Sequence, residues 1–126
     1  MKHIPLILTL FLTCVLHGCA DGASSKETAG AEAVIRRTFG TFPEALELRL
    51  VAKTGDCDSY TYESTADSII VTGTSAVALC KGFYDYILDN GFGIVSWTGN
   101  RLDLPDSLPT VQRTETVSPF AHHLYD

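Results

Sequence analysis

Residues 74–91, TSAVALCKGFYDYILDNG, carry the clearest helical pattern of this sequence and decide its fold class. Thr74 or Ser75 can cap the first turn by accepting hydrogen bonds from free backbone N–H groups, and the Asn-Gly pair at 90–91 supplies the left-handed residue that ends a helix. Gly82 lies inside the helix, where it costs about 1 kcal/mol relative to alanine, so we expect another element to approach closely there. The apolar side chains recur every three or four residues and form one stripe: Ala76, Leu79, Cys80, Phe83, Ile87 and Leu88.

Short segments with strand patterns lie on both sides of this helix. Alternating side chains at 44–52 and 58–64 and an apolar run at 68–73 predict three strands, and their tight connections favour an antiparallel meander. Two more strands are predicted after the helix, at 92–97 and 101–105, and a shorter helix before the first strand, at 26–38. These elements predict an α+β fold, a small antiparallel sheet with one long helix and a shorter one packed on one face.

Composition limits the classes of protein to which this chain can belong. Its 126 residues suffice for one domain, and a hydrophobic fraction of 45% is typical of globular proteins. The net charge of −6, with Arg36–Arg37 as the largest basic cluster, argues against a nucleic-acid partner.

The N-terminus has the pattern of an export signal. The apolar run at 4–16 is too short to span a bilayer, but it suits the core of a signal peptide. The next residues, LHGC at 16–19, resemble the lipobox of bacterial lipoproteins, in which the cysteine takes a diacylglycerol. We therefore expect a lipoprotein signal peptide at 1–18, lipidation of Cys19 and a flexible tether at 19–31. This predicts an exported protein that is anchored in a membrane on the periplasmic or cell-surface side; the alternative is a plain secretory signal cut nearby.

No catalytic or metal-binding constellation is visible, and no cofactor is predicted. For Cys57 and Cys80, two free thiols are favoured over a disulfide. Neither cysteine belongs to a motif with the spacing of metal ligands. Asp85 and Asp89 share the polar face of the long helix, where both are expected to be solvated. The adjacent histidines at 122–123 point in opposite directions in an extended segment and do not chelate by themselves.

Three aromatic residues are candidates for a sugar-binding or domain-interface surface. Tyr60 and Tyr62 share one face of the second predicted strand, and Trp97 ends the fourth. We expect Trp97 to be a core or domain-interface anchor rather than a platform on which a sugar stacks.

Five short motifs, in this order and spacing, resemble the N-terminal domain of the α-N-acetylglucosaminidase family of glycoside hydrolases. The resemblance covers roughly residues 33–126, and the motifs are GTS at 73–75, GFYDY at 82–86, WTG at 97–99, LDLP at 102–105 and LP at 108–109. It implies a fold similar to the non-catalytic α+β domain that precedes the barrel in β-hexosaminidases.

The resemblance also implies a function for the whole enzyme, which releases terminal α-linked N-acetylglucosamine from glycans such as heparan sulfate. In the family, two glutamates of a following (β/α) barrel act as acid/base and nucleophile; none of the family's catalytic residues can be placed in this chain. We therefore expect a fragment that ends before the barrel, with an accessory domain at 32–110 and a linker at 111–126. The missing barrel, the glycan substrate and the membrane are the implied partners. The alternatives are a stand-alone carbohydrate-binding module and a purely structural lipoprotein.

Overall fold

The computed structural model describes residues 21–121, which form two helices and six strands. The helices are α1 (Asp21–Phe39) and α2 (Ala76–Asp89). The strands are β1 (Leu46–Leu50), β2 (Ser59–Ser64), β3 (Ile69–Gly73), β4 (Gly93–Ser96), β5 (Gly99–Leu102) and β6 (Val111–Val117). The predicted α+β class, with helices packed on a small, mostly antiparallel sheet, is confirmed.

The order of the strands differs from the predicted meander. The main sheet has the order β1-β3-β2-β6, in which β1 is parallel to β3 while β2 is antiparallel to both β3 and β6. The meander is therefore wrong, because β3 lies between β1 and β2. The connection after β1 crosses the end of β3, where the Val51 backbone N–H donates to the Gly73 carbonyl at 2.9 Å. The most apolar strand takes a central position in the sheet, and alternation within one strand does not identify its neighbours.

The ends of α2 agree with the sequence pattern. The Ser75 hydroxyl accepts from the backbone N–H of Ala78 at 3.1 Å and caps the first turn. Asn90 is the C-terminal cap, and Gly91 follows with a φ of 72°, a conformation that glycine adopts without strain.

The core lies between the main sheet and the two helices. A side chain of the size of Phe83 or Ile69, when fully buried, contributes about 1.5–3 kcal/mol through apolar burial. Gly82 allows this close packing, because a Cβ at that position would lie 2.8 Å from Val71 Cγ1 and 3.0 Å from Tyr60 Cδ2. The expected close approach at Gly82 is therefore confirmed. The fully buried large side chains are Tyr86, Phe83, Ile69, Leu79, Ile87 and Val71.

The tether and the linker extend less far than predicted. Helix α1 already begins at Asp21, and Thr28 and Ala31 are buried within the predicted tether. The small residues that resemble a linker allow α1 to pack closely on α2, and the Cys80 thiol lies 3.8 Å from the Ala31 carbonyl.

At the other end, the predicted linker contains β6, which pairs with β2. Six of the seven residues of β6 are exposed, so this edge strand lacks the apolar pattern by which strands are recognised. The hairpin β4–β5 forms a separate two-stranded sheet with shorter strands than predicted, and its turn includes Trp97.

Candidate functional site

The β4–β5 hairpin presents Trp97 at its tip. The Ser96 hydroxyl donates to the Gly99 carbonyl at 2.8 Å and holds the turn closed. The side-chain amide of Asn100 donates to the Thr38 carbonyl at 3.1 Å, which ties the hairpin to the last turn of α1. The tip is therefore fixed to the helical layer.

The indole of Trp97 is 97% exposed. Its predicted role as a core anchor is wrong, because the tryptophan lies in the turn of the hairpin and not in a strand over the core. An interface anchor and a sugar platform both require an exposed ring, and both remain predictions for Trp97.

Tyr60 and Tyr62 share one face of β2, as predicted, but this face packs against α2. Their side chains are 7% and 5% exposed, so neither ring is open to a sugar or another domain. Their hydroxyls reach the polar side of α2, where Tyr60 donates to Asp85 and Tyr62 donates to Asp89 at 2.5 Å. Both tyrosines therefore bind the helix to the sheet.

The two aspartates accordingly have a role that the sequence pattern did not indicate. Asp85 accepts from Tyr60 and also forms an ion pair with Lys81, one turn earlier on α2. The expectation of a solvated carboxylate is wrong for Asp85, which is partly buried between these two partners. Asp89 is exposed as expected, although it also accepts the hydrogen bond from Tyr62. Helical spacing predicts that the two aspartates lie on a polar face. It does not predict that the hydroxyls of Tyr60 and Tyr62, on β2, extend to that face.

The environment of these groups shifts their pKa values. Burial, followed by the hydrogen bond to the Asp89 carboxylate, raises the pKa of Tyr62 to about 12. The same two causes, with Asp85 as partner, raise the pKa of Tyr60. Burial is the largest single influence on Lys81 and acts to lower its pKa, but the hydrogen bond to Asp85, the charge of Asp85 and the contributions of Tyr60 together outweigh burial and leave this pKa raised. Both tyrosines are therefore neutral donors near neutral pH.

A second polar cluster surrounds the start of α2. The Asp58 carboxylate accepts from Ser75 at 2.9 Å and from Thr74 at 3.2 Å, and it pairs with Lys53 at 3.1 Å. The hydrogen bond from Ser75, with smaller contributions from Lys53 and Thr74, lowers the pKa of Asp58 although burial opposes the shift. The Asp58 carbonyl also accepts from the backbone N–H of Ser118 at 2.7 Å, so the end of β6 is joined to the start of α2.

The remaining candidates form no reactive cluster within residues 21–121. Cys57 and Cys80 are free thiols, as expected, and burial raises the pKa of Cys80. This part of the chain contains no group of histidine, cysteine and carboxylate side chains that could hold a metal ion. None of its helices is long and apolar enough to cross a bilayer. Cys19 and the histidines at 122–123 lie outside the described residues.

Comparison with known proteins identifies the family. A family model described as the alpha-N-acetylglucosaminidase (NAGLU) N-terminal domain matches residues 29–110. The chain belongs to this family. Human alpha-N-acetylglucosaminidase is 34% identical to the chain over 100 residues, which are 75% of this chain and 13% of the human protein.

Solved structures from Clostridium perfringens have the same fold. The protein CpGH89, in complex with its substrate GlcNAc-alpha-1,4-galactose, superposes with a TM-score of 0.66 at 20% identity, covering 82% of this chain and 12% of its own. A family 89 glycoside hydrolase in complex with PUGNAc gives a TM-score of 0.65, also at 20% identity, over 80% of this chain and 12% of its own. The chain therefore spans about an eighth of the length of these relatives.

Proposed function

We propose that this chain is the N-terminal, non-catalytic domain of an exported α-N-acetylglucosaminidase that is anchored in a membrane through Cys19. One observation carries the assignment to a non-catalytic domain: the family's N-terminal domain covers most of the chain, while the chain covers only 13% of the human enzyme. The export and the anchor depend on the apolar run at 4–16 and the lipobox-like LHGC at 16–19. The catalytic residues are assigned to the part of the enzyme beyond this domain. The intact enzyme would release terminal α-linked N-acetylglucosamine from glycans.

An activity assay tests the first part of this proposal. The 126-residue chain and the protein encoded by its reading frame at the native locus are incubated with an aryl α-N-acetylglucosaminide. We expect the 126-residue chain to release no aryl group and the protein from the locus to release it. Activity of the 126-residue chain itself, or a longer protein without activity, would contradict the proposal.

Metabolic labelling tests the lipid anchor. The protein is expressed in a bacterium that is fed an alkyne-bearing fatty acid, together with the variants Cys19→Ser and Cys14→Ser. We expect label in the wild type and in Cys14→Ser but not in Cys19→Ser, because the lipobox-like motif ends at Cys19. Equal labelling of Cys19→Ser would remove the anchor from the proposal.

The exposure of Trp97 favours a second candidate, a domain that itself binds glycans. The chain contains a single tryptophan, so its emission reports directly on the hairpin tip. If the domain binds sugar, millimolar N-acetylglucosamine will change this emission, and Trp97→Ala will abolish binding measured by calorimetry while the far-UV spectrum stays unchanged. Unchanged emission and no heat of binding would eliminate this candidate.

A further inference from the structure

Strand β6 forms one edge of the main sheet, and its outer side is open. Within residues 21–121, β2 is the strand that pairs with it, while the two helices pack over β1, β3 and β2. Six of the seven residues of β6 are exposed. The outer N–H and C=O groups of an edge strand can pair with another strand that lies beside it. At β6, another chain can therefore extend the sheet.

The sequence of β6, VQRTETV, is symmetric in charge about its central residue, Thr114. A two-fold axis through Thr114 makes two copies of β6 antiparallel and places residue 113 of each copy opposite residue 115 of the other. Arg113 then lies opposite Glu115 of the second copy, and the same pair recurs on the other side of the axis. The strand is therefore complementary in charge to a second copy of itself.

The two charges that this pairing uses have no salt-bridge partner in the domain. Among residues 21–121, the ion pairs include neither Arg113 nor Glu115. Glu115 lies opposite Thr61, on the face of the sheet that is turned away from α2. Opposite charges across antiparallel strands stabilise the pairing, and like charges destabilise it. A second copy of the chain supplies the opposite charge for both side chains.

The other edge strand, β1, is protected where β6 is open. It is also symmetric in charge, with Glu47 and Arg49 on either side of its central leucine. These two side chains pair with each other at 2.7 Å, and α1 packs against the strand. A helix that covers an edge strand is one way in which proteins prevent edge-to-edge pairing. The structure thus leaves β6, and not β1, available to a second copy.

The irregular end of β6 limits how far such a pairing extends. The strand pairs regularly with β2 from Thr114 to Val117, but the register shifts between Thr114 and Val111. A bulge of this kind bends the strand. We therefore expect a short ladder centred on Thr114, which is typical of a weak, reversible dimer rather than of an obligate one.

We infer that two copies of this chain associate through β6, about a two-fold axis at Thr114, and form one continuous sheet of eight strands. The inference is independent of the proposed function, because it uses only the edge strand and its charges. A two-fold axis that makes the paired strands antiparallel is perpendicular to the sheet. The helices of both copies therefore lie on the same side of the joined sheet.

Cysteine cross-linking of the full chain tests the inference. Residues directly opposite in an antiparallel pair have Cα atoms about 4.5–5.5 Å apart, a distance that a disulfide can bridge. Thr114→Cys places the two thiols beside the axis. Thr116→Cys is the matched control, because Thr116 is exposed on the same face of β6 but would lie roughly 14 Å from its counterpart. After mild oxidation, we expect at least fivefold more disulfide-linked dimer from Thr114→Cys on a non-reducing gel; the wild-type chain gives the background from native cysteines.

Charge reversal tests the register in chains that carry Thr114→Cys. Arg113→Glu and Glu115→Arg each place like charges opposite each other, so each alone should reduce the dimer to the level of the Thr116→Cys control. A mixture of the two variants, or both reversals in one chain, restores the opposite charges and should restore the dimer. Arg37→Glu, at an exposed position of α1, makes the same change in net charge as Arg113→Glu and should leave the dimer unchanged.

The recovery of the dimer separates lost pairing from lost folding, because a misfolded variant would not pair in the mixture. Equal yields from Thr114→Cys and Thr116→Cys would overturn the inference, since they would show random collision. A dimer that survives either single reversal, or a mixture that fails to recover it, would also overturn the inference, because neither result fits pairing of Arg113 with Glu115.

Discussion

At the scale of single residues, Gly82 decides how closely α2 approaches the sheet. Alanine is normally favoured over glycine in a helix by about 1 kcal/mol. Here we expect Gly82→Ala to lower the free energy of unfolding by about 1–2 kcal/mol, because the added Cβ would overlap Val71 and Tyr60. Gly30→Ala in α1 is the control, since its Cβ would meet only the Ala76 Cβ at 3.8 Å. Unfolding in urea measures the free energy of unfolding of both variants. If Gly82→Ala raised it, the close packing of α2 on Val71 and Tyr60 would not be what requires glycine at this position.

Tyr62 gives a second prediction at this scale. Tyr62→Phe removes the hydrogen bond to Asp89, so we expect it to lower the free energy of unfolding by about 1 kcal/mol near pH 8. The pKa of Tyr62 is about 12 in the folded protein and about 10 in the unfolded chain, so folding favours the protonated phenol. The stability contributed by Tyr62 is complete below pH 10 and is lost between pH 10 and 12. The difference in the free energy of unfolding between wild type and Tyr62→Phe should therefore shrink from pH 10 to pH 12. Tyr84→Phe is the control. A difference that stays constant over this range would contradict the role assigned to Tyr62.

At the scale of elements, α2 depends on its N-terminal cap. Ser75→Ala removes the hydroxyl that accepts from the Ala78 N–H and donates to Asp58, so we expect the free energy of unfolding to fall by about 1–2 kcal/mol. Ser75→Thr retains a hydroxyl that can make both hydrogen bonds, so its free energy of unfolding should fall much less. Thermal unfolding followed by circular dichroism compares the two variants, and equal losses would show that the hydroxyl does not stabilise the helix.

At the scale of the whole molecule, β6 extends the domain beyond residue 110, where the match to the family ends. A chain that stops at 110 would leave the free edge of β2 without its ladder to β6 and without the bond from Ser118 to Asp58. We expect its melting temperature to be several degrees below that of a chain that stops at 121. Equal melting temperatures would show that β6 contributes nothing to the stability of the domain.

The amino-acid order alone determines α2, because its apolar stripe, its cap and its terminal glycine are local features that act within a few residues. The same holds for the existence of most strands and for the close approach at Gly82. The neighbours of each strand, the edge strand β6 and the start of α1 were decided only by the tertiary structure. Strand pairing depends on which surfaces are buried together, and β6 and the start of α1 have too few large apolar residues to show a period.

Tertiary structure also decided the role of each candidate aromatic. Tyr60 and Tyr62 turn inward because β3 and β6 flank β2 and α2 covers one face of it, which brings their hydroxyls to Asp85 and Asp89. Trp97 remains in solvent because a two-stranded hairpin cannot bury its own tip. Sequence alone determined that these side chains are aromatic and where they lie along the chain. Only the folded arrangement determined which of them another molecule can reach, because burial depends on distant segments.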